Sequence, residues 1–174
     1  MSARLSLRPY QEEAIAAVEN ALGRGVRRPL VVLPTGTGKT ICFAALIARR
    51  GGSALVLAHR DELLRQAADK LAVADPTLAL GVGFVAAERD DIHAPVVVGS
   101  VQTLARSRRL QRLPRHFDTV VVDEAHHASA RSYRRILAHV ERSPLILGVT
   151  ATPQRSDRRQ LGEVWEQIVY RRDR

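Results

Sequence analysis

The sequence predicts an α/β protein with three layers, in which a mainly parallel open sheet is covered by helices on both faces. Two observations carry this expectation. Five short apolar runs, at 30–33, 54–58, 96–99, 119–122 and 145–149, are continuous rather than alternating. Strands buried on both faces have that pattern. Stretches of helical periodicity lie between the runs, and strands alternating with helices imply right-handed crossovers within one sheet. At 174 residues and 45% hydrophobic content, the chain suffices for one domain with a real core, not for two large ones.

The elements follow in order. Residues 8–22 carry Ile15, Val18 and Leu22 at helical spacing, with Pro9 near the start, where proline is tolerated. Strand 30–33 leads into a turn at 34–38, and a helix runs from Lys39 to Arg50. Strand 54–58 precedes helix 61–73. A further strand at 78–85 is weakened by Gly81 and Gly83, and 96–99 is the next strand. Residues 106–115 read as an arginine-rich loop, followed by strand 119–122, helix 130–140 and strand 145–149. The last stretch, 154–174, is polar apart from Leu161, Val164, Trp165, Ile168 and Val169, and it reads as ending without a closing strand. Its apolar side chains suggest a stripe, either closing this core or docking elsewhere.

Aromatic residues are only 4%, so the core must be aliphatic; 27 basic against 18 acidic residues give a formal charge of +9. Such a surplus favours a polyanionic partner through displacement of condensed counterions, or serves solubility alone. Only Lys39 and Lys70 are lysines in a chain that otherwise uses arginine, so a lysine at 39 points to a task. The single cysteine, Cys42, excludes an internal disulfide and a multi-cysteine zinc site, and is expected to be buried. No apolar run approaches the ~20 residues of a membrane span, and the N-terminus lacks an apolar signal core. A soluble protein in a reducing cytoplasm fits.

Pro34-Thr35-Gly36-Thr37-Gly38-Lys39-Thr40 joins a strand to a helix, the context of a phosphate-binding loop. Gly36 and Gly38 permit positive φ and close approach of the backbone. Backbone N–H groups then form an anion nest at a helix N-terminus. Lys39 would reach the β and γ phosphates of ATP, and the Thr40 hydroxyl would ligate Mg2+. Leu33 departs from the general pattern, which has glycine there. Strand 119–122 delivers Asp123 and Glu124 at its end. Asp123 would hold magnesium through its water shell, and Glu124 would orient and deprotonate the attacking water. The adjacent His126 and His127 superficially suggest a metal pair, but neighbours on one loop make poor chelators and no third ligand is evident.

The order of Pro34–Thr40, Asp123-Glu124-Ala125-His126 and Gly148-Val149-Thr150-Ala151-Thr152-Pro153 resembles the superfamily 2 DEAD/DEAH-like helicases and translocases. More narrowly, it resembles the branch of DNA-repair helicases and type III restriction enzyme helicase subunits. Leu7-Arg8-Pro9-Tyr10-Gln11, Ala58-His59-Arg60-Asp61-Glu62-Leu63, Gly99-Ser100-Val101-Gln102-Thr103-Leu104 and Ser132-Tyr133 fit the same branch. The resemblance implies a RecA-like P-loop NTPase domain over 1–153, with 154–174 leading toward a second RecA-like lobe. It implies that Gln11 reads adenine, since a side-chain amide matches the N6 and N7 edge, with Arg8 near the base. His59, Arg60, Gln102 and Thr103 would meet the nucleic-acid backbone. Thr150 and Thr152 would couple the ATP site to that face, with His126 as partner. DNA is favoured over RNA by the branch alone. In the family the second lobe supplies the arginine fingers, and no residue in 154–174 matches those motifs. Two other readings stay open: a stand-alone nucleic-acid-binding module without catalysis, and an unrelated phosphate-loop kinase or transport ATPase. The last leaves residues 148–153 unexplained.

Overall fold

The computed structural model describes residues 6–77, 81–128, 130–151 and 158–173. The strands are β1 (Pro29–Val32), β2 (Ala54–Ala58), β3 (Val82–Ala86), β4 (Arg89–Asp90), β5 (Val96–Ser100), β6 (Thr119–Asp123), β7 (Ile146–Thr150) and β8 (Gln167–Arg171). They form one sheet in the order β4-β3-β5-β2-β6-β7-β1-β8. Every pairing is parallel except the antiparallel turn-back of β4 on β3.

Helices cover both faces. On one lie α1 (Pro9–Gly23), α2 (Lys39–Arg50) and α3 (Asp61–Ala74), whose Ile15, Phe43, Leu46 and Leu64 pack on Val31, Val56, Val98 and Val121. On the other, α4 (Val101–Leu104), α5 (Ser107–Arg112), α6 (Arg131–His139) and α7 (Arg158–Val164) bring Leu104, Leu110, Ile136 and Leu161 toward Leu30, Val32, Leu55, Val97 and Val120. Neighbouring residues of one strand thus feed opposite cores, as the two-residue period of a strand requires. This is why the apolar runs are continuous: every residue of β2, β5, β6 and β7 is buried.

The arginine-rich stretch is not a plain loop. It contains α5, held by the buried Leu110 and Leu113 and by the Arg106 carbonyl, which accepts from Arg109 N at 3.1 Å and Leu110 N at 3.2 Å.

The expectation of no closing strand is corrected by β8, which pairs in parallel with β1 from Pro29↔Gln167 to Val32↔Arg171. As an edge strand it is at most partly buried, with the pattern exposed, exposed, intermediate, intermediate, exposed, so it leaves no continuous apolar run in the sequence. The expected apolar stripe divides accordingly. Leu161, Val164 and Trp165 join one core, Val169 packs beside the other, and Ile168 is 44% exposed. Among the described residues no helix is long and apolar enough to cross a membrane.

Candidate nucleotide-binding cleft

In an open parallel sheet, ligands bind outside the carboxyl ends of the strands. The phosphate loop leaves β1 at that edge. Leu33 is fully buried, and its N–H donates to the Thr150 carbonyl at 2.9 Å. The position that departs from the general motif is therefore tied into the sheet and filled by an apolar side chain. Gly36 (φ 83°) and Gly38 (φ 76°) take left-handed backbone. At Gly38 a Cβ would also stand 2.7 Å from Gln11 Nε2, so two separate constraints require glycine there.

Side chains from α1 set the loop's peptide planes. Tyr10 donates its hydroxyl to the Thr37 carbonyl at 2.5 Å, and Gln11 Nε2 donates to the same oxygen at 3.1 Å and to the Gly38 carbonyl at 3.3 Å. A trans peptide points its C=O and the following N–H in opposite directions. Holding the two carbonyls from the α1 side therefore aims the Gly38 and Lys39 N–H groups the other way, as an anion nest requires. Gln11 Oε1 accepts from Arg8 N at 2.8 Å, and Gln11 is buried. The residue expected to read adenine is thus bound to the phosphate loop, while Arg8 caps α1 with an exposed side chain. Thr35 and Gly36 are exposed at the loop's crest; Thr37, Lys39 and Thr40 are half-buried. The Thr37 hydroxyl donates to the Pro34 carbonyl at 2.6 Å, which closes the turn.

β6 ends at Asp123, 4% exposed, whose carboxylate accepts from Glu124 N at 2.9 Å. Burial pushes the Asp123 carboxyl above its ordinary range; the Lys39 charge and the Glu124 N–H pull it back only in part. The buried Asp123 carboxylate and the Thr40 hydroxyl at the start of α2 are hard-oxygen donors of the kind that Mg2+ takes. Glu124 adopts left-handed backbone (φ 53°, ψ 50°), unusual for a non-glycine residue and a form of strain found at functional sites. Its carboxylate stands 3.5 Å from Lys39 Nζ and 3.5 Å from His126 Nδ1. His126 Nδ1 also lies 2.8 Å from the hydroxyl of the buried Thr150, at the end of β7. Lys39 of the phosphate loop, Glu124, His126 and Thr150 are thus brought together at one edge of the sheet. Thr152 lies outside the described residues.

The four candidate strand-contacting residues sit at the neighbouring ends of β2 and β5. Arg60 is exposed at the cap of α3, and Gln102 is exposed on α4, whereas Thr103 is buried. His59 is half-buried, with its ring edge-on to His127 at 4.7 Å. Desolvation first, then the neighbouring His127 and Arg60, hold its pKa below the ordinary value. Cys42 is buried as expected, and desolvation raises its thiol to about 12, which makes it an inert small side chain. Tyr10 was not singled out in the sequence as a site residue. The resemblance over residues 7–11 assigns roles at the base to Gln11 and Arg8 and none to Tyr10.

This fold and cleft define a phosphate-loop NTPase of the RecA-like type found in superfamily 2 helicases and translocases. The chain belongs to the family described as type III restriction enzyme, res subunit, which matches residues 4–155. It is 38% identical over 182 residues to a putative ATP-dependent helicase IRC3 of Saccharomyces cerevisiae, covering 95% of this chain and 26% of that protein. It is 28% identical over 154 residues to a DNA 3'-5' translocase XPB2 of Sulfurisphaera tokodaii, covering 88% of this chain and 32% of that protein. Among solved structures, the Hef helicase domain of Pyrococcus furiosus superposes with a TM-score of 0.77 at 26% identity, over 94% of this chain and 38% of that one. The UvsW helicase of bacteriophage T4 has the same fold at 20% identity, with a TM-score of 0.75 over 96% of this chain and 61% of that one. The chain thus corresponds to the N-terminal RecA-like lobe of these proteins and spans about a quarter to a third of the length of the two sequence relatives.

Proposed function

We propose that this lobe binds ATP with Mg2+ on residues 34–40, and that with a second RecA-like lobe it couples ATP hydrolysis to movement on DNA. The carrying observation is the side-chain line from Lys39 through Glu124 and His126 to Thr150, with separations of 3.5, 3.5 and 2.8 Å. Lys39 would take the β and γ phosphates, and Thr40 and Asp123 would hold the magnesium shell. When bound, magnesium neutralises charge that builds on the transferring phosphoryl oxygens. Glu124 would position and deprotonate the attacking water. His126 and Thr150 join that carboxylate to the end of β7, and together with Thr152 would pass cleft closure toward the strand face.

The exposed Arg60 and Gln102 would grip the nucleic-acid backbone, which carries no sequence information, while the half-buried His59 and the buried Thr103 would shape the turns that present them. Their place at the ends of β2 and β5, beside β6, supports one continuous edge with ATP on one half and a strand on the other. DNA as the track draws on the name of the translocase relative. The test is titration of a fluorescent ATP analogue into the purified chain with magnesium and again with excess chelator. Saturable binding that needs magnesium is expected, and its absence would remove the reading.

A further inference from the structure

The C-terminal strand reaches the phosphate loop through Tyr10. The Arg172 guanidinium lies over the Tyr10 ring, 4.1 Å from its centroid, and Arg172 N donates to the Val32 carbonyl at 3.0 Å. That backbone bond extends the β1–β8 ladder to the point where β1 gives way to the loop. Tyr10 is only 8% exposed, and its hydroxyl holds the Thr37 carbonyl. Next to this contact, the Tyr170 hydroxyl meets Glu13 Oε2 at 3.1 Å, so β8 and α1 are joined twice. Arg172 lies outside the matched family region, 4–155, and belongs to none of the motifs.

We infer that Arg172 is a positioning residue for nucleotide binding: by stacking on Tyr10 it fixes the hydroxyl that orients the Thr37–Gly38 peptide of the phosphate loop. The physical chain has three links. A cation over an aromatic face is attracted by the ring quadrupole, modestly where the cation is exposed, as Arg172 is. A ring held against α1 keeps its hydroxyl on one carbonyl. That carbonyl sets the direction of the Gly38 N–H, one donor of the anion nest. The β8 end therefore acts on triphosphate affinity without touching the ligand. Movement of β8 relative to α1 would loosen the nest.

This rests on the phosphate loop being a nucleotide site, and the experiment separates the two. Binding of a fluorescent ATP analogue with magnesium is measured on the whole chain as wild type, Arg172→Ala, Arg172→Lys, Tyr10→Phe and the double variant Tyr10→Phe/Arg172→Ala, with a melting curve for each. Arg172 is exposed, so Arg172→Ala is expected to raise Kd by about two- to fivefold with at most a small change in melting temperature. Arg172→Lys restores most of the affinity, because an ammonium also meets the ring face. Tyr10→Phe weakens binding similarly, and the double variant is no weaker than the weaker single one. Wild-type affinity in Arg172→Ala overturns the inference, and so does a loss that tracks a lowered melting temperature or multiplies with Tyr10→Phe. Failure of the wild type itself to bind sinks the nucleotide reading and this inference with it.

Discussion

Lys39 Nζ stands 3.5 Å from Glu124 Oε1, with side-chain exposures of 15% and 24%. The lysine that would clasp the phosphates and the acid that would activate water thus share one contact. A triphosphate arriving at the loop would compete for the same ammonium and would free the carboxylate toward the reacting phosphoryl group. Binding and preparation of the base would then be one event.

Lys39→Ala removes a charge-assisted interaction with the phosphates. Bonds to charged groups are each worth about 1.5–3 kcal/mol, so affinity for the ATP analogue is expected to fall by about 10- to 150-fold. The pair with Glu124 is partly exposed, so the fold should lose less than about 1 kcal/mol. Fluorescence titration beside a chemical denaturation curve reads both quantities. Unchanged affinity would remove the core of the functional reading.

Two glycines near Trp165 should respond in opposite directions. A Cβ on Gly148 would meet Trp165 Cε2 and Cζ2 at 2.8 Å and Leu30 Cδ1 at 2.9 Å. Trp165 is pinned at the ring atom next to that contact, since its Nε1, bonded to Cε2, donates to the Ala125 carbonyl at 3.3 Å. Gly148→Ala is expected to destabilise by about 1–3 kcal/mol through overpacking. Gly162, on α7, has nothing within 4 Å of such a Cβ, so Gly162→Ala should stabilise by about 0.5–1 kcal/mol. Paired melting curves test this, and equal shifts in one direction would contradict the packing of Trp165 on β7.

What the sequence made legible and what it did not divide along chain distance. The phosphate loop and the Asp123–Glu124 pair are local patterns at strand ends, so spacing alone placed them. The five central strands were readable because burial on both faces leaves an unbroken apolar run. β8 was missed because an edge strand has no such run, and α5 because arginines dominate its surface while only Leu110 and Leu113 anchor it. The contacts of Tyr10 with Thr37 and Arg172 join three distant segments. No periodicity encodes a meeting of that kind. The left-handed Glu124 is equally invisible, since its backbone is set by the turn from β6 into the 3-10 segment Ala125–His127.

His59 gives a pH dependence with a definite sign. Desolvation, then His127 and Arg60, lower its pKa from 6.5. The unfolded chain therefore binds more protons than the folded one between the lowered value and 6.5. Stability rises with pH in that window. The contribution of neutral His59 is present above 6.5 and is lost as pH falls through the lowered folded value. Urea midpoints between about pH 5 and 7.5 are expected to decline on the acid side, and His59→Asn should flatten that decline. The difference between the two proteins is the informative quantity, because His116 and His126 also face carboxylates. Parallel curves would place the ring in a more solvated setting.

The 174-residue chain taken by itself should hydrolyse ATP very slowly. In the proposed reaction Glu124 would act on water, but it lies between Lys39 and His126, and charge developing on the γ-phosphoryl oxygens would need further cations. In the family resembled these come from the second lobe, and an arginine finger is worth about 10³–10⁵ in turnover in related GTPases. Arg171 and Arg172 do not substitute for it: Arg171 pairs with Asp173 at 3.1 Å, and Arg172 lies on Tyr10. Phosphate release measured with and without single-stranded DNA should give the same near-background rate, about 10³-fold or more below a complete two-lobe relative. Glu124→Gln should bind the ATP analogue like wild type and lower the residual rate further. Strong DNA-stimulated turnover by this chain would mean that its own residues complete the charge stabilisation, and the two-lobe account of the chemistry would fall.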